Sequence, residues 1–391
     1  MSYSSLTHHI DELLLRHQAI WRSHAYQLFV PTWLQDQPEL CHFLLELNDD
    51  QVRNLQGDDL ALLTAITPFF DDAKAIHQLI QPYQDQSRQQ VKEPPAGIPG
   101  RKWQQILAFC HAQSPPKGKV LEWCSGKSYL GRAIHQQSGQ NILALEINSD
   151  LVNSGHHRAA PQHQLQQCDV FSDKVWSYFS NDIQRAVALH ACGGLHQRLL
   201  QCASHQQCPE IALSPCCYHR FIDHYRPLSQ QLQSAKLQLD KTDLRTAVRQ
   251  SSTAHQGEIA GRRTLQSAQL AFRVLLQDNS LDSNMPLPSL SLRWAKKSTT
   301  ELLQHYRQQK SLTLNYKKPI AEYHNLGAAL LARAERLELA RMAFRRLLEL
   351  RCVLDGILFL EEQGYRCTLK AFCHHALTPR NLLLFATKQS H

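Results

Sequence analysis

Five short apolar runs in the middle of the chain each end on a polar side chain, and those ends recur at nearly constant intervals. Glu122, Glu146, Asp169, His190 and Ser214 stand 24, 23, 21 and 24 residues apart. An interval of that size holds one strand, one helix and two turns, so residues 119–214 read as successive βα units. The runs, such as Asn141–Glu146 (NILALE) and Ala186–His190 (AVALH), are continuous rather than alternating. That is the pattern of parallel strands buried on both faces. In an open sheet of this kind ligands bind outside the carboxyl ends of the strands, so the five polar residues are placed to line one crevice.

The flanking sequence has other rhythms. Residues 5–82 read as helices, with apolar positions at Ile10, Leu13, Leu14 and Ile20 and again over Leu40–Leu47 and Leu60–Ile66. Asp58 and Asp59 stand where a helix cap is needed. A polar stretch, Gln81–Lys92, and the Pro/Gly-rich Glu93–Gly100 mark a boundary. After Cys217 the βα rhythm stops for more than a hundred residues. It resumes as one long helix, Leu337–Gln363, and two strands, Tyr365–Cys373 and Asn381–Thr387. The expectation is an α/β, doubly wound sheet with a helical N-terminal region (1–95), a first core segment (96–220), an insertion between strands five and six (221–335) and a closing core segment (336–391).

The 391 residues are 43% hydrophobic and 19% charged, as in globular chains with a sizeable core. No apolar run approaches the ~18 residues of a membrane span. The first residues lack the basic and apolar regions of a secretory signal, and twelve cysteines are too sparse for a disulfide scaffold. A reducing cytoplasm is expected. The net charge of +8 is unevenly spread: residues 1–100 hold 6 basic and 13 acidic side chains, whereas residues 236–320 hold 14 and 6. That excess points either to a polyanionic partner, such as RNA, bound through the insertion, or to a solvated basic surface. Lys and Arg pairs (Arg262-Arg263, Lys296-Lys297, Lys317-Lys318) interleave with Trp294, Tyr306 and Tyr316, which either stack on unpaired bases or fill the insertion's core.

The loop after the first strand runs Glu122-Trp-Cys-Ser-Gly126-Lys-Ser-Tyr-Leu-Gly131. Gly126 can take a positive φ and let a ligand approach the backbone. Glu146, 20 residues further on, suits the two hydroxyls of a ribose, and Asp169 an adenine amino group. A pyrophosphate cradle needs several glycines, and Cys124 and Ser128 replace two of them. Glu122 would also repel phosphate. A carboxylate suits a sulfonium and an ammonium better, so the expected cofactor is S-adenosyl-L-methionine, with Ser125 counted among its contacts.

These blocks, with Leu189-His-Ala-Cys-Gly-Gly194 and Leu213-Ser-Pro-Cys-Cys-Tyr-His219, resemble the Rossmann-like methyltransferase domain shared by acceptor-stem tRNA 2′-O-methyltransferases and by methyltransferase-like proteins, including one named for a glutathione S-transferase C-terminal region. Gly97–Trp103 and Thr378–Leu384 resemble the segments that open and close that domain. The resemblance implies cofactor contacts at Glu122, Cys124, Gly126, Glu146, Asp169 and His190, and RNA modification, tRNA processing included, as the activity. The Cys/His zinc modules of the tRNA enzymes have no counterpart in residues 1–100, which hold only Cys41.

Ser214-Pro-Cys-Cys-Tyr-His219 would face the transferred methyl group. Cys216 could add covalently to a pyrimidine, as in RNA cytosine-5 methyltransferases, which place cysteines where Cys192 and Cys216 stand here. The favoured reading is that it shapes the substrate loop, since cysteines are common as small buried residues. Tyr218 and His219 are candidate bases for transfer to a hydroxyl. His190, Cys192, Cys216, Cys217 and His219 offer soft ligands, yet no CxxC pair occurs, so no metal is expected. Two other functions stay open: methylation of a protein or small molecule, and a non-catalytic RNA- or protein-binding module that keeps the fold.

Overall fold

Continuous apolar strands can only be satisfied inside a sheet, and they are. The computed structural model describes residues 1–26, 31–84, 93–95, 97–157, 160–249 and 256–389. Its strands are β1 (Lys119–Glu122), β2 (Ile142–Glu146), β3 (His163–Gln167), β4 (Ile183–Cys192), β5 (Glu210–Cys216), β6 (Tyr365–Ala371) and β7 (Leu382–Lys388). They form one seven-stranded sheet in the order β3-β2-β1-β4-β5-β7-β6. The first five are mutually parallel, and β7 runs antiparallel between β5 and β6. All five residues of β2 are buried, whereas the edge strand β6 alternates buried and exposed. The sheet is Rossmann-like and doubly wound, and its order reverses between β1 and β4, where such sheets bind ligands.

Two expected elements differ. Between β3 and β4 the chain makes only a short 3₁₀ segment, Asp173–Tyr178, instead of a crossover helix. The single helix expected over Leu337–Gln363 is two, Ile320–Met342 and Arg345–Glu362. No proline or glycine marks the break. It falls where the Phe344 amide turns to the Arg341 carbonyl, a tighter turn than the α-helical ladder.

The chain divides into two compact units, each discontinuous in sequence. One comprises Met1–Leu15, Gln78–Arg249 and Arg345–His391; the other Arg16–His77 and Gln250–Phe344. The expected boundaries at 95, 220 and 335 therefore shift. In the first unit the opening residues belong to the core because Arg351, fully buried, donates to Asp11 at 2.9 Å and to the Leu237 carbonyl at 2.9 Å. Arg346 likewise pairs with Glu349 at 2.6 Å and donates to Asn381 and to the Tyr83 carbonyl. Pairing of this kind offsets most of the cost of burying the charges, although Arg351 Nη1, Arg346 Nε and Glu349 Oε1 are left without a hydrogen-bond partner.

The second unit joins the N-terminal helices to most of the insertion. Arg336 donates to the Leu47 carbonyl at 2.7 Å and pairs with Asp49 at 2.8 Å. Helices Gln256–Asp278 and Ile320–Met342 pack closely at Gly327, where a Cβ would lie 2.4 Å from the Ser267 carbonyl. Asp58 caps helix Asp59–Ile66 through the amides of Leu60 and Ala61, as its position in the sequence predicts. Residues 85–92 of the expected linker lie outside the described residues. Among the described residues no helix is long and apolar enough to cross a membrane.

Candidate active site

The loop after β1 curls tightly, with Cys124, Gly126 and Ser128 all at φ between 51° and 59°. Left-handed backbone at Cys124 and Ser128 costs roughly 1–3 kcal/mol per residue and persists only where the surroundings enforce it. The enforcing bonds are visible. Ser125 donates its amide to Leu145, Ser128 to Ser125, and Gly126 to the Glu146 carboxylate at 2.8 Å. The other Glu146 oxygen accepts from the Asn148 amide at 3.0 Å, and Asn148 caps the helix Ser149–His156. Glu146 thus pins both the loop and the start of the next helix.

Glu122 differs from its expected role. Its carboxylate is only 3% exposed and turns beneath the loop, where one oxygen accepts from the Ser128 hydroxyl and from the Gly131 amide at 3.0 Å. Ser128 also contacts His163 Nε2 at 2.6 Å. Burial raises the Glu122 pKa to about 7, against the lowering effect of Ser128 and Gly131. Burial likewise depresses His163 to about 4. Glu122 therefore braces the loop from inside. The reason is local: helix Tyr129–Ser138 starts too close to β1 for the carboxylate to reach outward, and its Gly131 admits no Cβ, which would sit 2.5 Å from Glu122 Oε2.

Cys124, Ser125, Gly126, Glu146 and Asp169 do come together at the sheet's carboxyl edge. The Cys124 thiol is pushed up to about 12, first by burial and then by the charges of Glu146 and Asp169. Ser125 Oγ is buried without a partner. Above Gly126 the space is open, since a Cβ there would meet nothing within 4 Å. Asp169 is exposed and accepts the Phe171 amide at 3.0 Å. His190, at φ 65°, contacts Gln105 Oε1 at 3.0 Å, and the Gln105 amide nitrogen donates to the Leu377 carbonyl. That orientation makes His190 Nε2 the donor and leaves Nδ1 as the ring's acceptor. Burial depresses its pKa to about 4, so the ring is neutral near pH 7.

Beyond β5 the expected catalytic residues separate. Tyr218 is 3% exposed, sits edge-on to His196, and its hydroxyl is buried without a partner and held well above its usual pKa by burial. Enclosed in this way, Tyr218 lacks the open face that the sequence reading of a base expects. Ser214 is also buried, donating to the Arg380 carbonyl at 3.2 Å. His219 is half-buried with an unpartnered Nδ1, and burial lowers its pKa. Cys216 lies beside Cys192 and Cys217, the three sulfurs all within 4.8 Å of one another. Hydrogen bonds from the Cys192 and Cys216 thiols hold Cys217 well below the ordinary thiol range, with the Arg380 and Arg220 charges adding to the effect.

Four of the insertion's cations stand in ion pairs. Arg262 pairs with Glu258, Arg263 with Glu335, Lys297 with Glu301 and Lys318 with Asp278. Tyr306 is core, Tyr316 packs against Tyr323 and Trp294 against His305, so the aromatics of this region chiefly pack. Asp240 and Asp243 form the capping box of helix Lys241–Ala247. A different surface combines cations with exposed aromatics. In the first unit a groove of about 480 Å³ is lined by Phe171, Arg198, Phe221, His224 and Arg226, among others. Phe171 and Phe221 are 46% and 58% exposed. Both follow strand ends, two residues after Asp169 and two after His219, a placement that irregular sequence does not advertise.

Residues 101–224 match the model of a methyltransferase domain family, and the matched stretch contains β1 to β5 with their loops. Among curated proteins none matches this chain. Solved structures give distant likenesses. A TehB-like SAM-dependent methyltransferase from Corynebacterium glutamicum is 14% identical at a TM-score of 0.24, over 28% of this chain and 60% of its own. Coclaurine N-methyltransferase, bound to N-methylheliamine and S-adenosylhomocysteine, is 10% identical at 0.28, over 89% and 92%. The cyclopropane synthase MmaA2 from Mycobacterium tuberculosis is 12% identical at 0.25, over 79% and 92%. The chain spans 60% of the length of the first of these. At such TM-scores the likenesses decide nothing about the substrate. The domain match is consistent with S-adenosyl-L-methionine as cofactor.

Proposed function

We propose that the sheet-bearing unit is an S-adenosyl-L-methionine-dependent methyltransferase whose substrate is RNA. The bond from Gly126 to Glu146 carries the cofactor reading, because it sets a ligand-accessible loop against a carboxylate at the end of β2. Each Glu146 oxygen accepts one backbone N–H and keeps a lone pair for a ribose hydroxyl. The open space over Gly126 and the unpartnered Ser125 Oγ suit the rest of an elongated polar ligand. Bound there, S-adenosyl-L-methionine supplies a methyl group made electrophilic by its sulfonium. The chain's own task is then to orient the acceptor and take up its proton. His219, with Nδ1 unpartnered, is the side chain left for that proton once Tyr218 is set aside.

The groove of Phe171, Arg198, Phe221 and Arg226 supports RNA as substrate. Exposed aromatic faces stack on unpaired bases and guanidinium groups neutralise phosphate, a combination suited to single-stranded segments. The overall +8 charge acts in the same direction. The test is transfer of a labelled methyl group from S-adenosyl-L-methionine to total RNA by the purified chain. Nuclease-sensitive label is the expected result. Label confined to protein or to small molecules would overturn the RNA assignment, and absence of cofactor binding by calorimetry would overturn the methyltransferase reading itself.

A further inference from the structure

We infer that Cys192, Cys216 and Cys217 form a binding site for one zinc ion at the carboxyl edge of the sheet. The fold builds this site from parts that are remote in sequence. Cys192 ends β4 and Cys216 ends β5, and the two are register partners on adjacent parallel strands. Cys217 follows with φ 44°, a left-handed turn that brings its sulfur back beside the other two instead of onto the opposite face. The Cys192 and Cys216 sulfurs lie 3.2 Å apart, and all three lie within 4.8 Å of one another.

Those spacings bracket what zinc requires. With Zn–S of about 2.3 Å and tetrahedral angles, two ligand sulfurs sit ~3.8 Å apart. The site therefore needs shifts of well under an ångström per sulfur, and the strands already fix two of the three. Charge is accommodated as well. Three thiolates and one divalent cation carry a net negative charge, and the guanidinium groups of Arg220 and Arg380 stand close enough to act on Cys217. Binding releases the thiol protons to solvent, including the one Cys216 donates to the His190 carbonyl at 3.1 Å. Three protein ligands leave a fourth position open for water or a ligand atom, the arrangement of reactive zinc sites as opposed to closed structural ones.

The same sulfurs could instead be joined as a disulfide, and the two outcomes separate cleanly. The reduced, chelator-stripped protein is titrated with Co(II), which reports thiolate ligation through near-ultraviolet charge-transfer absorption and tetrahedral coordination through intense visible bands. One equivalent should produce both, and zinc should abolish them. Cys192→Ser, Cys216→Ser and Cys217→Ser should each weaken binding by about tenfold or more, whereas Cys41→Ser, in the other unit, should not. The wild-type protein gives a second readout that no variant's folding can confound: zinc should protect three thiols from a thiol-specific reagent. Absence of the charge-transfer band, no thiol protection, or a Cys192–Cys216 disulfide that persists under mild reductant would overturn the site. None of these readouts uses methyl transfer, so failure here is distinguishable from failure of the methyltransferase reading.

Discussion

The amide of Gly126 donates to the carboxylate of Glu146 across 2.8 Å, joining two chain segments 20 residues apart at the carboxyl edge of the sheet. One side chain thereby fixes a loop that would otherwise be free to open, and keeps lone pairs for a ligand. Replacing Glu146 by alanine removes both functions. S-Adenosyl-L-methionine binding should weaken by ~1.5–3 kcal/mol, roughly 10- to 150-fold, while circular dichroism stays unchanged. Calorimetry on the folded variant decides the matter, and an unaltered affinity would remove Glu146 from the site.

Gly126 and Gly131 predict losses of different size from the same added methyl. At Gly126 nothing obstructs a Cβ, so Gly126→Ala meets only the cost of a left-handed φ, about 1 kcal/mol. At Gly131 the Cβ would press on Glu122, Ser128 and Ile142 within 2.8 Å, and the overpacking should cost about 1–3 kcal/mol. Denaturant unfolding of the two variants should rank them in that order. Equal losses would mean that the helix start yields more readily than its packing implies.

Glu122 and His163 give the protein two opposed dependences on pH. Glu122 has a folded pKa of about 7 against 4.5 for the free side chain, so its contribution is present below pH 4.5 and is lost as the pH rises to 7. His163, at about 4 against 6.5, contributes above pH 6.5 and loses that contribution as the pH falls to 4. Between pH 4.5 and 6.5 the slopes oppose. Glu122→Gln removes one of them, so the variant should gain on the wild type as the pH rises from 5 to 7, by on the order of 1–3 kcal/mol. Urea unfolding at both pH values checks this, and a pH-independent difference would show that Glu122 titrates normally.

The groove can be divided into stacking and charge. Phe221→Ala should weaken binding of single-stranded RNA by ~1–3 kcal/mol without altering its salt dependence. Arg226→Ala should lower the slope of log K against log salt by about 0.7 if it contacts one phosphate. Arg262→Ala, whose guanidinium pairs with Glu258, serves as the contrasting substitution and should change both quantities little. Filter binding over a salt series distinguishes the three. RNA binding indifferent to Phe221 and Arg226 would place the substrate elsewhere.

The strands were legible because a βα unit has a characteristic length: β1 and β2 end on Glu122 and Glu146 as the period predicts, whereas β3 stops two residues before Asp169 and β4 and β5 run two residues past His190 and Ser214. What the period cannot carry is direction. Glu122 and Glu146 occupy equivalent strand ends, yet the curl of the loop turns one under the helix start and leaves the other at its rim. Tyr218 is likewise one residue from the half-buried Cys217, but is enclosed beside His196. The break between the two helices near Phe344 has no Pro or Gly to announce it. The meeting of Cys192 with Cys216 depends on the pairing of β4 and β5, a relation between strands that spacing along one chain does not express. Charge was legible as an excess, but not its pairing, such as that of Arg263 with Glu335 and of Lys318 with Asp278.

The sheet also dictates an order of assembly during synthesis. β7, the last of the sheet's seven strands in chain order, takes an interior place between β5 and β6. Until it emerges, β5 presents an unpaired edge and β6 has no neighbour to join. Such an edge recruits other strands unless it is shielded. The nascent chain must therefore hold β5 in reserve through the 165 residues that separate Cys216 from Leu382, and the sheet is complete only once β7 has emerged.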